Sequence, residues 1–254
     1  KTISAIGCYG MTAITALTAQ NTTGVLGIYP VPADFLHAKL QSVLSDIIPD
    51  AVKIGMIPDE ASANVIAETI EKHSLKNIVL DPVMIATSGD HLSSPATLDV
   101  MRSHIFPYAT FITPNLPEAE TILNRKIQST AEMQFAASEI ITEYGCKGVI
   151  LKGGHSERTD SDKMTDIIAI QDTGNTTVYP YTHSYVDTSN THGTGCSLSS
   201  ALAAHLALGF PAVESAARSI LWLNKAIYAG KDHILGHGHG PVNHMFLNTN
   251  HTLQ

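Results

Sequence analysis

The sequence has few charged residues, no run of basic residues and no long apolar segment. Only 15% of its 254 residues are charged, and 23 Asp and Glu against 15 Lys and Arg give a formal net charge of −8. A surface without a basic cluster has little attraction for nucleic acid or an anionic membrane, so neither is an expected partner. No apolar run reaches the roughly 18 residues that a membrane-spanning helix needs.

Cysteine is also scarce. The three cysteines are Cys8, Cys146 and Cys196, an odd number with wide spacing. This pattern argues against a disulfide framework and favours a reducing compartment, so we expect a cytoplasmic protein. Hydrophobic residues make up 44% of the chain, which is enough for a sizeable core in one large domain over residues 1–254.

Two common nucleotide-binding motifs are absent: neither a Walker A sequence nor a Gly-x-Gly-x-x-Gly fingerprint occurs. Apolar segments suited to buried strands instead alternate with helical patterns. This alternation predicts an α/β fold with a mostly parallel central sheet and helices on both faces. A short hairpin is predicted near the turn Asp172–Asn175, and residues 11–19, with small side chains on both faces, predict a further central strand. The predicted strands of the alternating part are residues 51–57, 77–80, 110–113 and 148–151.

One stretch carries the strongest chemical signal. Gly193, Thr194 and Gly195 precede a helix whose apolar stripe includes Leu198 and continues at four-residue spacing. The first N–H groups of a helix lack intrahelical partners and lie at its positive end, so this turn could hold a phosphoryl group in transfer. Cys196 follows at once, where the dipole favours its thiolate, which could accept a proton from a substrate hydroxyl. The alternative is a small buried cysteine packed under a glycine turn.

Polar residues also follow several predicted strands, where α/β sheets place ligands. Gln20 could pair with a heterocycle, or be a solvated loop residue. Asp81 could serve a magnesium–phosphate site, or cap loop amides. Asn115 and Glu118 could take part in the same network, or form an N-terminal capping box. Lys152 could meet ATP phosphates, or be an ordinary solvated strand end.

Two further features are a lysine inside an apolar strand and a group of histidines. Lys53 lies inside an apolar strand and needs a partner if it is buried, but the sequence does not name one. Four histidines, His233, His237, His239 and His244, follow the last long helix. Their spacing matches no zinc motif, so we expect a solvated or nucleotide-side loop rather than a metal site.

The stretch from Asn190 to Ala201 resembles the glycine-rich signature of ribokinase-like kinases. Its Gly-Thr-Gly-Cys form is similar to the hydroxymethylpyrimidine and phosphomethylpyrimidine kinases of thiamine synthesis, whereas most ribokinase-like sugar kinases have aspartate in place of Cys196. The resemblance spans nearly the whole chain and includes residues 15–22, Asp81-Pro82-Val83-Met84 and Asn115-Leu116-Pro117-Glu118. It also implies that a strand and a Gly-rich loop precede Lys1.

The resemblance implies a role for each matching residue. Cys196 would be the base, and the N–H groups of residues 193–196 would form the anion hole. Substrate contacts would come from Gln20, Met56 and Val83. ATP and phosphate contacts would come from Asp81, Asn115, Glu118, Lys152 and Thr191, with Asp81 and Glu118 also holding Mg²⁺, directly or through water.

The function implied is ATP- and Mg²⁺-dependent phosphorylation of 4-amino-5-hydroxymethyl-2-methylpyrimidine and then of its monophosphate, by a homodimer. One alternative is a pyridoxal or pyridoxine kinase of the same fold, because both rings carry a hydroxymethyl arm. A second is a cysteine hydrolase that uses Cys196 and His192, although residues so close in a tight turn rarely face each other. A third is a protein that binds the pyrimidine without catalysis.

Overall fold

The computed structural model describes residues 1–84, 94–154 and 162–248. Its main sheet has six strands in the order β3-β4-β5-β6-β7-β8. The first four pair in parallel, and the last two are antiparallel. The strand pairing therefore confirms the prediction of a mostly parallel central sheet. The strands are β3 (Val52–Ile54), β4 (Ile78–Leu80), β5 (Ala109–Ile112), β6 (Gly148–Leu151), β7 (Lys163–Asp172) and β8 (Asn175–Ser184).

The predicted hairpin, with strands expected over residues 160–172 and 176–186, is present, although residues 160 and 161 lie outside the described ranges. β7 and β8 are ten residues each and complete the main sheet. The chain reverses at Thr173 and Gly174, which both have positive φ. A two-residue turn in which both residues have positive φ has a backbone twist that matches the right-handed twist of the flanking strands. Asp166, Ile167, Ile168 and Ala169 of β7 are buried, so the hairpin contributes to the core.

Helices cover both faces of this sheet. On one face, the buried side chains of α2 to α6 pack against Ile54, Ile78 and Ile112. On the other, α7 and α8 pack against Val79 and Phe111. No helix in the described ranges is both long and apolar enough to cross a bilayer. The helices are α1 (Thr2–Ala5), α2 (Ala33–Leu44), α3 (Glu60–Lys72), α4 (Pro95–His104), α5 (Leu116–Leu123), α6 (Thr130–Tyr144), α7 (Thr194–Ala207) and α8 (Ala212–Gly230).

Several helices begin where a polar side chain can satisfy free backbone N–H groups. Asp59, Ser94, Asn115 and Ser129 each accept a hydrogen bond from the backbone N–H three residues later. These short polar side chains are preferred at N-caps for that reason. α7 differs, because its N-cap is Gly193, with φ of 79° and no capping side chain. Its first amides are therefore left without side-chain acceptors.

The prediction of a central strand over residues 11–19 was wrong. The strand in this region is β1 (Ala16–Asn21), which pairs antiparallel with β2 (Gly24–Pro30) in a separate two-stranded sheet. Small residues fit a buried central strand, but here most of them are exposed. Leu26 is 86% exposed and Tyr29 65% exposed, so β2 also has apolar side chains in solvent.

Candidate active site

The turn before α7 presents backbone donors. Within the described chain, the N–H groups of Gly193, Gly195 and Cys196 have no hydrogen-bond acceptor, whereas that of Thr194 points to the carbonyl of Thr191 at 3.3 Å. The positive φ of Gly193 is a conformation that residues with a side chain rarely adopt. Three of the four predicted amides are thus free to bind an anion at the positive end of a 14-residue helix.

Asp81 is the centre of a polar cluster beneath this turn. It directly follows β4 and is 1% exposed. Its carboxylate accepts hydrogen bonds from Lys152 Nζ at 3.1 Å, Thr113 Oγ1 at 3.2 Å and Ser199 Oγ at 3.4 Å. A buried carboxylate needs such partners to offset its loss of hydration. Asp81 is thus fixed from β5, β6 and α7 rather than from its own loop.

Lys152 lies between two carboxylates. Its Nζ is 3.1 Å from Asp81 Oδ1 and 3.7 Å from Glu118 Oε2. Burial lowers the pKa of Lys152, but the charges of Asp81 and Glu118 outweigh burial, and the pKa is raised overall. Burial raises the pKa of Glu118 to about 7, although Lys152 opposes this and Asp81 adds to it. Lys152 is therefore the charged partner of two acidic groups and not a solvated strand end.

The capping box predicted at Asn115 and Glu118 is present. Asn115 Oδ1 accepts from the Glu118 N–H at 2.8 Å, and Glu118 Oε2 accepts from the Asn115 N–H at 2.7 Å. The same Glu118 oxygen is the one that faces Lys152. The capping role and a place in the charged cluster are thus compatible, because one carboxylate oxygen serves both.

Gly195 brings the turn and the cluster together. A Cβ atom built on Gly195 would lie 3.3 Å from Asp81 Oδ2 and 3.5 Å from Lys152 Nζ. The first of these contacts is tighter than usual and the second is an ordinary van der Waals distance, so the absence of a side chain lets the turn approach Asp81 closely. The structure thereby places together the glycine turn, Asp81, Glu118 and Lys152, which lie far apart in the sequence.

Cys196 is exposed at the edge of this arrangement, whereas Cys146 is buried. The alternative of a small buried cysteine under the turn is therefore wrong for Cys196. Lys53 of β3 donates a hydrogen bond to Cys196 Sγ at 3.7 Å. Among the described residues, no hydrogen bond joins His192 to Cys196, and the His192 N–H bonds instead to the Gly240 carbonyl at 3.0 Å. The dyad that a cysteine hydrolase would need is not formed in this structure.

The three predicted substrate residues lie on different segments. Gln20 is exposed on β1 and lines a cleft of about 360 Å³ together with His192 and Pro241. Met56 is half-buried, and its carbonyl accepts from Thr15 Oγ1 at 2.7 Å. Val83 is half-buried, and its N–H bonds to the carbonyl of Asp81 at 2.8 Å. Met56 and Val83 follow adjacent strands of the main sheet, at the end where ligands bind in such folds.

A slightly larger cavity, of about 430 Å³, lies elsewhere. Its lining includes Asp50 and Asn77, which precede β3 and β4, and Gly209, which follows α7. This places the cavity at the amino ends of the strands, opposite the charged cluster. Ligands of open α/β sheets bind at the carboxyl ends, so we do not assign the reaction to this cavity.

The histidine-rich segment packs against the turn between β1 and β2. The His239 N–H bonds to the Thr22 carbonyl at 2.9 Å, and the Gly238 N–H bonds to Thr22 Oγ1 at 3.2 Å. A Cβ on Gly238 would lie only 1.9 Å from the Thr22 carbonyl oxygen. His244 lies apart, with its Nε2 3.1 Å from Ser197 Oγ. The loop is thus placed beside the Gln20 cleft, and no cluster of potential metal ligands occurs among the described residues.

Asn190 fixes the start of the glycine turn. Its side-chain amide is buried and donates to the carbonyls of Gly230 at 2.8 Å, Lys231 at 3.2 Å and His233 at 2.7 Å. A carbonyl-lined pocket of this kind accepts an amide but repels a carboxylate. The Asn190 side chain consequently joins the turn before α7 to the end of α8.

Replacing Asn190 by Asp is therefore expected to lower the free energy of unfolding by about 1–3 kcal/mol, because the carbonyls lose their donor and face a negative charge. Urea denaturation measures this change. Asn64→Asp, at an exposed position on α3, is the matched control and should change stability by less than about 0.5 kcal/mol. Equal effects of the two substitutions would contradict the assigned role of Asn190.

A second buried pair supports the segment after Lys152. Asp166 Oδ1 accepts from the Gly153 N–H at 2.7 Å, and Asp166 Oδ2 lies 3.1 Å from His183 Nε2. Burial lowers the pKa of His183, but its hydrogen bond to Asp166 and the charge of Asp166 outweigh burial and raise the pKa overall. The β7–β8 hairpin thereby helps to position the backbone beside Lys152.

This pair predicts a pH-dependent stability. Because the folded state holds the His183 proton more tightly than the unfolded state, the stabilisation is complete below the unfolded pKa and is lost as the pH rises through the folded pKa. The difference in unfolding free energy between wild type and His183→Gln should thus shrink as the pH rises above the usual histidine pKa of about 6.5. Denaturation at several pH values measures it, with His104→Gln, at an exposed position at the end of α4, as the control, and a difference that does not shrink as the pH rises would contradict the role of the Asp166–His183 pair.

Sequence reasoning missed several residues of this site. Thr113 and Ser199 hold Asp81, and Thr22 binds the histidine-rich loop. Thr113 follows a predicted strand, as Asp81 does, so its position was a usable signal. Ser199 and Thr22 gave none, because their contacts join segments more than 100 residues apart.

Comparisons with known proteins agree with this geometry. The family described as phosphomethylpyrimidine kinase matches residues 1–243. The chain is 40% identical over 248 residues to a hydroxymethylpyrimidine/phosphomethylpyrimidine kinase of Salmonella typhimurium, covering 96% of this chain and 89% of the relative. A crystal structure of phosphomethylpyrimidine kinase from Clostridium difficile is 37% identical, with a TM-score of 0.75 and coverage of 89% and 90% of the two chains.

A pyridoxal kinase from Staphylococcus aureus, solved in complex with pyridoxal, is 31% identical, with a TM-score of 0.85 and coverage of 98% of this chain and 87% of that one. Its backbone is thus similar, at lower sequence identity than the two phosphomethylpyrimidine kinases. The match over nearly the whole chain, together with the ribokinase-like fold, identifies a phosphotransferase with ATP as co-substrate. The chain belongs to the phosphomethylpyrimidine kinase family.

Proposed function

We propose that this protein transfers the γ-phosphoryl group of ATP to the hydroxymethyl group of 4-amino-5-hydroxymethyl-2-methylpyrimidine, and then phosphorylates the resulting monophosphate, in thiamine biosynthesis. The observation that carries the proposal is the set of three unpaired amides beside an exposed thiol, directly above a buried carboxylate–lysine cluster. Donors fixed before the reaction begins stabilise the charge on a transferring phosphoryl group at little reorganisation cost.

The chemical step uses one base and one anion hole. Cys196 as thiolate accepts the proton of the substrate hydroxyl, and the hydroxyl oxygen forms a bond to the γ-phosphorus. The bond from that phosphorus to the ADP oxygen breaks, and ADP leaves with the electron pair. The amides of Gly193, Gly195 and Cys196 hold the phosphoryl oxygens during transfer, and Thr194 belongs to the same turn.

The substrate ring would lie between Gln20, Met56 and Val83. The Gln20 amide both donates and accepts, so it can pair with a ring nitrogen and the neighbouring amino group. The apolar side chains of Met56 and Val83 would contact the two faces of the ring. Thr22 and the histidine-rich loop beside Gln20 would then limit access of water to the ring.

The cluster also fits a magnesium ion that accompanies ATP. Asp81, Glu118 and Asn115 supply hard oxygen atoms, and Mg²⁺ usually keeps several waters between itself and protein ligands. Asp81 and Glu118 would hold it, largely through water, because Lys152, Thr113 and Asn115 already occupy part of their acceptor capacity. When bound, Mg²⁺ would neutralise part of the negative charge of the ATP phosphates. Lys152 and Thr191 would contact the phosphates directly.

We further propose that residues 1–254 act as one kinase domain in a cytoplasmic homodimer. The three cysteines are free thiols, which suits a reducing compartment. The β1–β2 sheet exposes Leu17, Leu26 and Tyr29, and a second copy could bury them. Sedimentation equilibrium would test the dimer, with a Leu26→Lys variant expected to shift the mass towards the monomer.

The experiment that tests the function is mass spectrometry of the products from ATP, Mg²⁺ and the pyrimidine alcohol. We expect ADP together with a pyrimidine that has gained one and then two phosphoryl groups. Hydrolysis of ATP without phosphorylated pyrimidine, or binding of the pyrimidine without ADP formation, would contradict the proposal.

A second candidate is a pyridoxal or pyridoxine kinase, favoured by the TM-score of 0.85 to the pyridoxal kinase named above. A competition assay with equal concentrations of pyridoxal and the pyrimidine alcohol separates the two. We expect the pyrimidine to be phosphorylated with the higher kcat/KM. The reverse preference would assign the chain to the second candidate.

A further inference from the structure

We propose that Lys53 is a positioning residue that holds Cys196 as a thiolate. This inference rests on the proposed function, in which Cys196 is the base. The sequence predicts that Lys53 needs a partner if it is buried, and in the structure Lys53 is half-buried and has one. Its ammonium donates to Cys196 Sγ at 3.7 Å.

The register of the sheet explains why Lys53 can reach α7. In a parallel sheet, paired residues place their side chains on the same face, and Lys53 pairs with Val79. Val79 belongs to the same buried core cluster as Leu198 and Leu202 of α7. Lys53 therefore lies on the face that α7 covers, whereas Ile54 packs in the core on the opposite face. The residue at this position of β3 necessarily points towards the first turns of α7.

Gly55 provides the space for this contact. A Cβ atom on Gly55 would meet the ammonium nitrogen of Lys53, at 2.3 Å. A side chain at position 55 would thus displace the end of Lys53 without a clash with the backbone. Gly55 is not among the glycines with positive φ, so alanine can adopt a similar backbone conformation.

The chemical consequence concerns the charge on sulfur. In the described chain, the ion pairs of Lys152 are with Asp81 and Glu118, and Lys53 has no carboxylate within salt-bridge distance. A cation that donates a hydrogen bond to sulfur favours the thiolate over the thiol, because opposite charges attract. Lys152 is thus paired with the acidic cluster, although it also feels the charge of Cys196, whereas Lys53 donates a hydrogen bond to Cys196 directly.

Alkylation of the thiol tests this role independently of catalysis, since the thiolate is the reactive form. The wild-type protein and its variants are treated with iodoacetamide at pH 7, and the rate at Cys196 is followed by peptide mass spectrometry, with Cys8 as an internal reference. We expect Lys53→Met to slow alkylation of Cys196 about tenfold, and Lys53→Arg to restore most of the rate. Gly55→Ala should slow it as well, although Lys53 is still present. Lys39→Met, an exposed change of the same charge on α2, should have no effect.

Wild-type rates of Cys196 alkylation in both Lys53→Met and Gly55→Ala would overturn the proposal. Melting temperatures check that each variant is folded, and methionine suits an apolar strand. Kinase assays then separate the two proposals: Lys53→Met should lower kcat by at least about tenfold with little change in KM for ATP. Slowed alkylation in a chain whose wild type forms no phosphorylated pyrimidine would uphold the Lys53–Cys196 pair and refute the proposed function alone.

Discussion

Replacing Cys196 by Ala is expected to lower turnover by about 10²- to 10⁴-fold, the usual contribution of a general base. Without the thiolate, the substrate hydroxyl must lose its proton to water while it attacks phosphorus. ATP affinity should change little, because the turn amides and Lys152 are still present. Steady-state kinetics and isothermal titration with a non-hydrolysable ATP analogue measure the two quantities.

Cys8→Ala is the matched control for this experiment. Cys8 is only partly buried, and its thiol lies 3.8 Å from the carbonyl of Ala204, in the C-terminal half of α7 rather than at the glycine turn. Its replacement should leave kcat within about twofold of wild type. Turnover of Cys196→Ala near the wild-type value would exclude Cys196 as the base, and equal losses in both variants would indicate a general structural effect.

Replacing Lys152 by Met is expected to have the second large effect, on stability and on activity together. The change leaves Asp81 and Glu118 buried without their cation, which typically costs 3–5 kcal/mol. Glu118, whose pKa is already about 7, can take up a proton in response, so we expect a loss near about 3 kcal/mol. Urea denaturation without nucleotide measures the stability, and KM for ATP should rise because the proposed contact between Lys152 and the phosphates is lost.

Lys126→Met controls for the loss of a lysine ion pair. Lys126 contacts Glu120 at 2.7 Å, but its side chain is 80% exposed, so water screens the pair. Its replacement should cost less than about 1 kcal/mol and leave KM unchanged. A Lys152→Met protein as stable as Lys126→Met would show that the cluster does not depend on its buried cation.

Much of the main sheet was predictable, because continuous apolar segments such as Ile78–Leu80 alternate with capped helices such as the one after Asp59. The strand around Ala16 was mispredicted for a physical reason. Small residues tolerate both a crowded central strand and an exposed two-stranded sheet, so pattern alone does not distinguish the two.

The candidate site, too, was predictable from the sequence only in part. Asp81 and Lys152 were predictable because both end parallel strands, and the carboxyl ends of such strands meet at one edge of the sheet. The contacts of Ser199 and Lys53 were not predictable, since their partners depend on how α7 crosses the sheet. Local sequence determines which elements form, whereas contacts between distant elements depend on packing that a single sequence does not display.

The most direct test of the central claim is a crystal structure with a non-hydrolysable ATP analogue and the pyrimidine alcohol. The account predicts the γ-phosphate within hydrogen-bond distance of the Gly193, Gly195 and Cys196 amides, with the substrate hydroxyl between that phosphate and Cys196 Sγ. A γ-phosphate bound away from these amides, or a hydroxyl that faces away from Cys196, would contradict it.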